Sequence, residues 1–586
     1  MWFSGFDDPR ILSVLADGKK QAEQFAARWR GSITDNASVG DIGAAFREQE
    51  VILQEAVKPL LYASVLHATD ATNPEYGALV QKTEALYTDT CNEFTFFNLG
   101  LLKLADETLQ RFIHSAELEN YRHHLSCLLK TKPHRLEERE EQILNDKALT
   151  GSSAFMRLFG EELARKKFLV AVNGESKELT EEEALHTQQS PRREERIAGA
   201  EAFTKGLKED LWRFTFVFNT LGEDKRIDDK YCKFLTPEAS QHMANETTQE
   251  MVDTMSRAVS GQVGMVADYY NLKREVLGLD KLYDYDRYAP IAETQRVYPF
   301  EEARDIILKA YGTFSPAMRE RASEFFLQNW IDAETKHGKR GGAFCSYMTP
   351  DTHPLVFLNY LGTSKSVLTL AHELGHGIHG SLMHKQTLFN FDTPLTIAET
   401  ASVFGEMLVF DSLRQSMSGR ELLTLLMGMI EEVFATVFRQ HAMYKFEQDF
   451  HAARRSEGEL KPERISDLWI TRQKEMFGNS VTLTDNYRIW WSYIPHFLHT
   501  PFYVYAYTFG ELLTLSFYDM YKKMVDKAAF AEKYLAMLEA GGTKTPEELV
   551  EPFGIDLSRK EFWEGGLRVV GEMVEEAKRL YGEIEK

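Results

Sequence analysis

The residues with the clearest chemical potential lie in Leu370-Ala371-His372-Glu373-Leu374-Gly375-His376-Gly377-Ile378-His379, which contains the spacing H-E-x-x-H. On an α-helix, residues i and i+4 share a face one turn apart. His372 and His376 can therefore direct two imidazole nitrogens at one metal ion. Glu373, rotated about 100° from His372, can reach a metal-bound water without being a ligand, the arrangement of metal-assisted hydrolysis. A hydrolytic site needs a third protein ligand and one open position. Between positions 377 and 398 the only acidic residue is Asp392, beside Pro394 in an expected loop. The next, Glu399, falls on a helical pattern, with Glu406 at i+7 on the same face. Glu399 is assigned as the ligand and Glu406 as the group that orients a ligating histidine; the reverse assignment is the alternative. His379 sits on a neighbouring face, where a substrate contact and a structural role fit equally. Two histidines and a glutamate favour Zn2+, one ion per chain, though cobalt or manganese can fill such a donor set.

These side chains need a helix to carry them. Thr363 or Ser364 can cap it, and Val367, Leu368, Leu370, Ala371, Leu374 and Ile378 form its apolar stripe. Gly375 and Gly377 each cost about 1 kcal/mol relative to alanine inside a helix, which is tolerated where backbone or substrate approaches closely. Just upstream the pattern changes. Residues 341–348 read as a short strand, Thr349-Pro350-Asp351-Thr352-His353-Pro354 as turn chemistry, and residues 355–360 as a second strand. Elsewhere apolar residues recur at three and four, with few prolines (17). Exceptions are Phe168–Val172, a strand entering a turn at Asn173-Gly174, and Thr180-x-x-Glu183, a capping box. Ser190-Pro191 reads as a helix start with proline at the first helical position. The run Glu137–Glu141 reads as a solvated helix face. The class is mostly α, with a small β element before the H-E-x-x-H helix. The expected division is 1–190, an N-terminal helical lobe, and 191–586, a catalytic domain.

Composition excludes several functions. The 586 residues carry 68 basic against 89 acidic side chains, a net charge of −21. Nucleic-acid binding needs a basic footprint, so it is disfavoured. Apolar residues at 43% and charged residues at 27% fit a folded chain. The four cysteines form no C-x-x-C pair, so neither a disulfide framework nor a cysteine zinc site is expected. Cys345 reads as a buried small hydrophobe. With no signal-like start and no apolar run near 20 residues, no membrane span and a cytoplasmic location are expected.

Taken together, the motifs resemble the M3 family of zinc metallopeptidases, in particular its oligoendopeptidase F branch. The carriers are His372–His379 and Glu399-Thr400-Ala401-Ser402-Val403-Phe404-Gly405-Glu406. Others are Lys339–Phe344 with Asp351–Pro354 and Leu358–Tyr360, Leu277–Leu282 with Tyr288–Pro290, Ile494–Phe497 and Phe502–Tyr507. Ser153–Phe159 is similar to part of the branch's N-terminal region. The resemblance implies a two-lobed helical metallopeptidase fold with a deep substrate channel. It implies short unfolded peptides as substrates, zinc on two histidines and a glutamate, and an edge strand that pairs with the peptide backbone. Residues 343–348 are the candidate strand, and Gly342, Ala343 and Phe344 the candidate contacts. It also implies hydrogen-bond donors from the aromatic segment: Tyr507 first, then Tyr503, with His496 or His499. Tyr503 and Tyr507 share a helical face, whereas Tyr505 points away. Two other readings stay open. A dipeptidyl carboxypeptidase on the same fold must hold a free C-terminal carboxylate, with Arg340 or Arg488 available. A catalytically silent peptide-binding protein would have no use for Glu373. Oligomeric state is left open.

Overall fold

The computed structural model describes residues 2–172, 175–291 and 296–585. The expected mostly α class is what is found, with a few short strands. The chain folds as two compact units, each discontinuous in sequence. One comprises Met1–Pro133, Arg296–Leu413 and Met524–Ile555; the other comprises His134–Gln295, Arg414–Lys523 and Asp556–Lys586.

In the first unit, an aromatic core forms around Phe25, Phe46 and Phe97, all fully buried. Phe46 meets Phe97 edge-on at 5.1 Å and stacks on Tyr121 at 4.7 Å. Strand β1 (Phe168–Val172) pairs antiparallel with β2 (Glu175–Leu179) in the second unit; the expected turn at Asn173-Gly174 lies outside the described residues. The sheet before the H-E-x-x-H helix belongs to the first unit. Its strands are β3 (Ile331–Asp332), β4 (Phe344–Ser346) and β5 (Leu355–Phe357), in the order β3-β5-β4. β5 is central, parallel to β3 and antiparallel to β4, which leaves β4 at an edge.

Both strands before the helix are shorter than the pattern suggests, for local reasons. Gly342 adopts φ +81° and Met348 φ +63°, left-handed values that end strand geometry on either side of β4. Beyond β5 the backbone is engaged by a side chain. The buried Lys339 ammonium donates to the carbonyl of Leu358 at 2.8 Å, to the carbonyl of Glu334 at 2.7 Å and to the Asp332 carboxylate at 2.8 Å.

The capping box at Thr180 and Glu183 is present, each side chain satisfying the other residue's backbone. The helix expected to open at Pro191 instead runs Arg193–Tyr231. The Arg196 guanidinium donates to the carbonyls of Ser190 and Pro191 at 2.8 and 3.2 Å and holds those residues outside the helix. The acidic run opens the helix Glu138–Ala148, with Glu137 and Glu140 forming its capping box. Among the described residues, no helix is long and apolar enough to cross a membrane.

Candidate metal centre

The H-E-x-x-H motif lies on the helix Ser364–Leu382. Its cap is Thr363, whose side chain accepts from the Ser366 N–H at 3.1 Å. The stripe residues expected from the sequence are buried, with Leu370, Ala371, Leu374 and Ile378 at 0% exposure. Glu399 is the residue between a short helical turn, Leu395–Ala398, and the helix Thr400–Ser416 that carries Glu406.

The close approach of these two helices explains the glycine. A Cβ added to Gly375 would stand 2.5 Å from the Ala401 carbonyl oxygen and 2.6 Å from Ser402 Cα, both backbone atoms. Two buried tyrosines lock the crossing. Tyr311 donates to the Ala371 carbonyl at 2.6 Å, next to His372, and its hydroxyl lies where a Cβ on Gly405 would come within 2.6 Å. Tyr534 donates to the Thr400 carbonyl at 2.6 Å, next to Glu399. Its ring packs on Phe404 at 4.4 Å.

The result is a convergent donor set. Glu399 Oε2 lies 3.3 Å from His372 Nε2 and 3.4 Å from His376 Nε2. These separations match the edges of a tetrahedron around a metal, about 3.3–3.4 Å for bonds of about 2.0–2.1 Å. On the far side of the His372 ring, Nδ1 donates to Glu406 Oε2 at 3.0 Å. That bond orients the ring and turns Nε2 toward Glu399, the side on which a ligand atom is needed. Tyr347 Oη lies 3.4 Å from His376 Nδ1 and plays the matching part there. Ser402 donates to Glu399 Oε2 at 2.7 Å.

Electrostatics support a cation site. Burial disfavours charge on His372, yet hydrogen bonds to Glu399 and Glu406 hold its pKa well above the usual value. Burial likewise opposes charge on Glu399, and His372 and His376 override it, holding the carboxyl well below the usual range. The donors thus favour a positive charge between them, and the residues fit a zinc ion. Glu373 is 6% exposed, and its Oε2 has no hydrogen-bond partner among the described residues. Burial raises its pKa, which strengthens it as a base.

Other expected residues fall as follows. His379 is fully buried beside the Tyr347 ring at 6.1 Å, and burial lowers its pKa to about 3, the environment of a neutral structural histidine. Phe344 stacks on Phe357 at 4.8 Å across β4 and β5, and Asn359 donates to the Gly342 carbonyl at 3.2 Å, bracketing Ala343. Cys345 is half-buried, and burial pushes its thiol well above its ordinary value. In the second unit, His496, Tyr503 and Tyr507 form one cluster. Their ring centroids are 6.2 Å apart for His496–Tyr503, 6.0 Å for His496–Tyr507 and 5.1 Å for Tyr503–Tyr507. His499 is exposed and, among the described residues, makes no ring contact with them. Tyr505 is buried with its hydroxyl against His242, Asn245 and Thr247 at 3.0, 2.9 and 3.2 Å.

The sequence points to no role for Tyr311, Tyr347 or Tyr534. Ser402, three residues after Glu399, had a readable spacing; the tyrosines act across long sequence separations and leave no local signal.

The sequence pattern described as Peptidase family M3 matches residues 187–569, and that described as Oligopeptidase F matches residues 101–168. The chain belongs to peptidase family M3. This M3 metallopeptidase is 24% identical to Oligopeptidase PepF of Bacillus subtilis over 569 residues, covering 96% of this chain and 84% of that one. It is 26% identical to Group B oligopeptidase PepB of Streptococcus agalactiae over 535 residues, covering 89% and 87%. A putative peptidase from Chlamydophila abortus superposes with a TM-score of 0.84 at 25% identity, covering 96% of each chain. Oligoendopeptidase-F from Enterococcus faecium superposes at 0.72 with 20% identity, covering 98% of each, a likeness of fold. The M3 peptidase is a peptide hydrolase of the oligoendopeptidase F kind.

Proposed function

We propose that this M3 peptidase is a zinc-dependent endopeptidase that hydrolyses internal bonds of short, unfolded oligopeptides. The observation that carries the reading is the placement of Glu399 Oε2 at 3.3 and 3.4 Å from the two histidine Nε2 atoms, with Glu373 on the same helix. His372, His376 and Glu399 would hold the zinc, and Glu406 would orient His372. When bound, zinc supplies Lewis acidity and lowers the pKa of a coordinated water toward about 7. Glu373 takes the proton of the attacking water and passes it to the leaving amine. Tyr507, Tyr503 and His496 serve as hydrogen-bond donors to the developing oxyanion; the exposure of His499 and the ring contacts of His496 with Tyr503 and Tyr507 favour His496. β4 offers its edge to an extended peptide near Gly342, Ala343 and Phe344, a mode that binds backbone largely independently of side chains.

One observation weighs against Arg488 as the anchor of a free C-terminal carboxylate, its ion pair with Asp467; Arg340 is exposed over the Phe344 ring at 5.7 Å and leaves the dipeptidyl carboxypeptidase as the alternative reading. Along the sequence, residues 1–190 make up the N-terminal helical region and 191–586 the catalytic region. The test is Glu373→Gln. The variant should bind one zinc per chain and lose turnover by about 10²-fold or more; near wild-type cleavage would remove Glu373 from the role of base.

A further inference from the structure

The cluster of His496, Tyr503 and Tyr507 depends on an unusual piece of backbone. Phe502 adopts φ +65°, one of five non-glycine residues with positive φ among those described. It is also completely buried. Left-handed backbone is disfavoured for a residue with a bulky side chain, so the surroundings must impose it. The position matters. Phe502 lies between the short helix His496–His499 and the helix Tyr505–Lys523, where the chain must turn to bring Tyr503 and Tyr507 beside His496.

The constraint comes from the helix Gln440–Glu457. Glu447 is 1% exposed, and its Oε1 accepts the Phe502 N–H at 2.7 Å. One turn further along the same helix, His451 is 3% exposed and lays its ring 4.9 Å from the Phe502 ring. Two polar residues at i and i+4 thus grip the backbone and the side chain of one residue. Both retain a buried polar atom with no partner among the described residues, Glu447 Oε2 and His451 Nδ1. A carboxyl group buried in this way is costly unless it does something else. Here it satisfies the one N–H that the left-handed turn would otherwise orphan. Burial raises the Glu447 pKa well above the usual range, so the group acts as a neutral acceptor.

We propose that Glu447, aided by His451, is a positioning residue for catalysis: it holds the left-handed turn at Phe502 and so sets Tyr503 and Tyr507 beside His496. The inference rests on the donor role given to those three residues under the proposed function.

The experiment compares kcat, KM and zinc content for Glu447→Gln, Glu447→Leu, Tyr507→Phe and the Glu447→Leu/Tyr507→Phe double variant. Glutamine keeps a neutral acceptor at the same reach and should retain most of kcat. Leucine removes the acceptor and should lower kcat by about 10- to 100-fold through misplacement of the tyrosines, with KM and zinc content little changed. Because Glu447 acts through Tyr507, adding Glu447→Leu to Tyr507→Phe should cost far less than it does alone. Should Glu447→Leu fail to fold, Glu447→Asp, which withdraws the acceptor by one methylene, takes its place in the same comparison. Wild-type kcat in Glu447→Leu alongside a loss in Tyr507→Phe overturns the positioning role alone. So does a full, independent loss in the double variant. Wild-type kcat in Tyr507→Phe, Tyr503→Phe and His496→Ala overturns the donor role beneath it.

Discussion

Replacing Gly375 with alanine asks whether the metal centre depends on the close crossing of the helices Ser364–Leu382 and Thr400–Ser416. A single methyl would stand 2.5 Å from the Ala401 carbonyl oxygen and 2.6 Å from Ser402 Cα. Carbon–carbon contacts settle at about 3.5–4.0 Å, so clearance requires about 1 Å of separation at the crossing. Neither obstructing atom is a side chain that can rotate away. Glu399 and Ser402 ride on the displaced segment. The Glu399–histidine separations, now 3.3 and 3.4 Å, would widen toward about 4 Å, past the tetrahedral edge that bonds of about 2.0–2.1 Å allow. Overpacking of this kind costs about 1–3 kcal/mol. The stretched ligand set should lose zinc affinity by about 10- to 100-fold, on the scale of damaged ligand orientation. Chelator competition reads the affinity, and thermal melts with and without zinc read the stability. Gly428→Ala is the control. Gly428 is exposed within the helix Gly419–Phe434 with nothing within 4 Å of an added Cβ, so alanine should stabilise by about 0.4–1 kcal/mol. Unchanged zinc affinity and stability in Gly375→Ala would refute the reasoning.

Glu406→Gln should weaken zinc binding by about 10- to 100-fold without abolishing it, whereas Glu399→Ala should remove most bound zinc; equal losses, measured by metal analysis after dialysis, would contradict the separate roles. Lys339→Met strips four acceptors of their ammonium. It should destabilise by about 1.5–3 kcal/mol and raise KM more than it lowers kcat, because it loosens the segment leading to β4. An unchanged KM would sever that link. His441 is buried and neutral, its pKa lowered from 6.5 to about 3 chiefly by burial. The unfolded chain therefore binds a proton that the folded one refuses, and stability falls as pH drops below about 6.5, by about 1.4 kcal/mol per pH unit for this residue. Denaturation at pH 7 and pH 5 should show a shallower loss in His441→Gln than in wild type; parallel curves would contradict the assignment.

What the sequence disclosed and what it hid follow from the range of the interactions. The motif helix, its Thr363 cap and its apolar stripe are local, so spacing alone reveals them. Glu399 could be read because so few acidic residues follow the motif, and Glu406 because a period of seven keeps it on the same face. The cost of Gly375 in a helix points to a close approach, and the structure identifies its partner as the Ala401 carbonyl. Tyr311, Tyr347 and Tyr534 act from other elements, and nothing in their neighbours announces a hydroxyl aimed at a metal-site helix. The strands are shorter than the sequence pattern suggests because that pattern says nothing of the left-handed turns at Gly342 and Met348 or of the Lys339 ammonium cage. At Ser190-Pro191 the start signals were sound, but Arg196 claims the carbonyls and delays the helix. Phe502 is the extreme case. No sequence rule places a phenylalanine at positive φ, and the side chains that meet it, Glu447 and His451, lie about 50 residues upstream.

The most direct test of the account is digestion of a peptide pool, each member blocked at both ends, by the zinc-loaded wild-type enzyme, with products mapped by mass spectrometry. The account predicts internal cuts in the blocked peptides, lost on chelation and restored by zinc. Cleavage confined to peptides with free C-termini, two residues from the end, would contradict it.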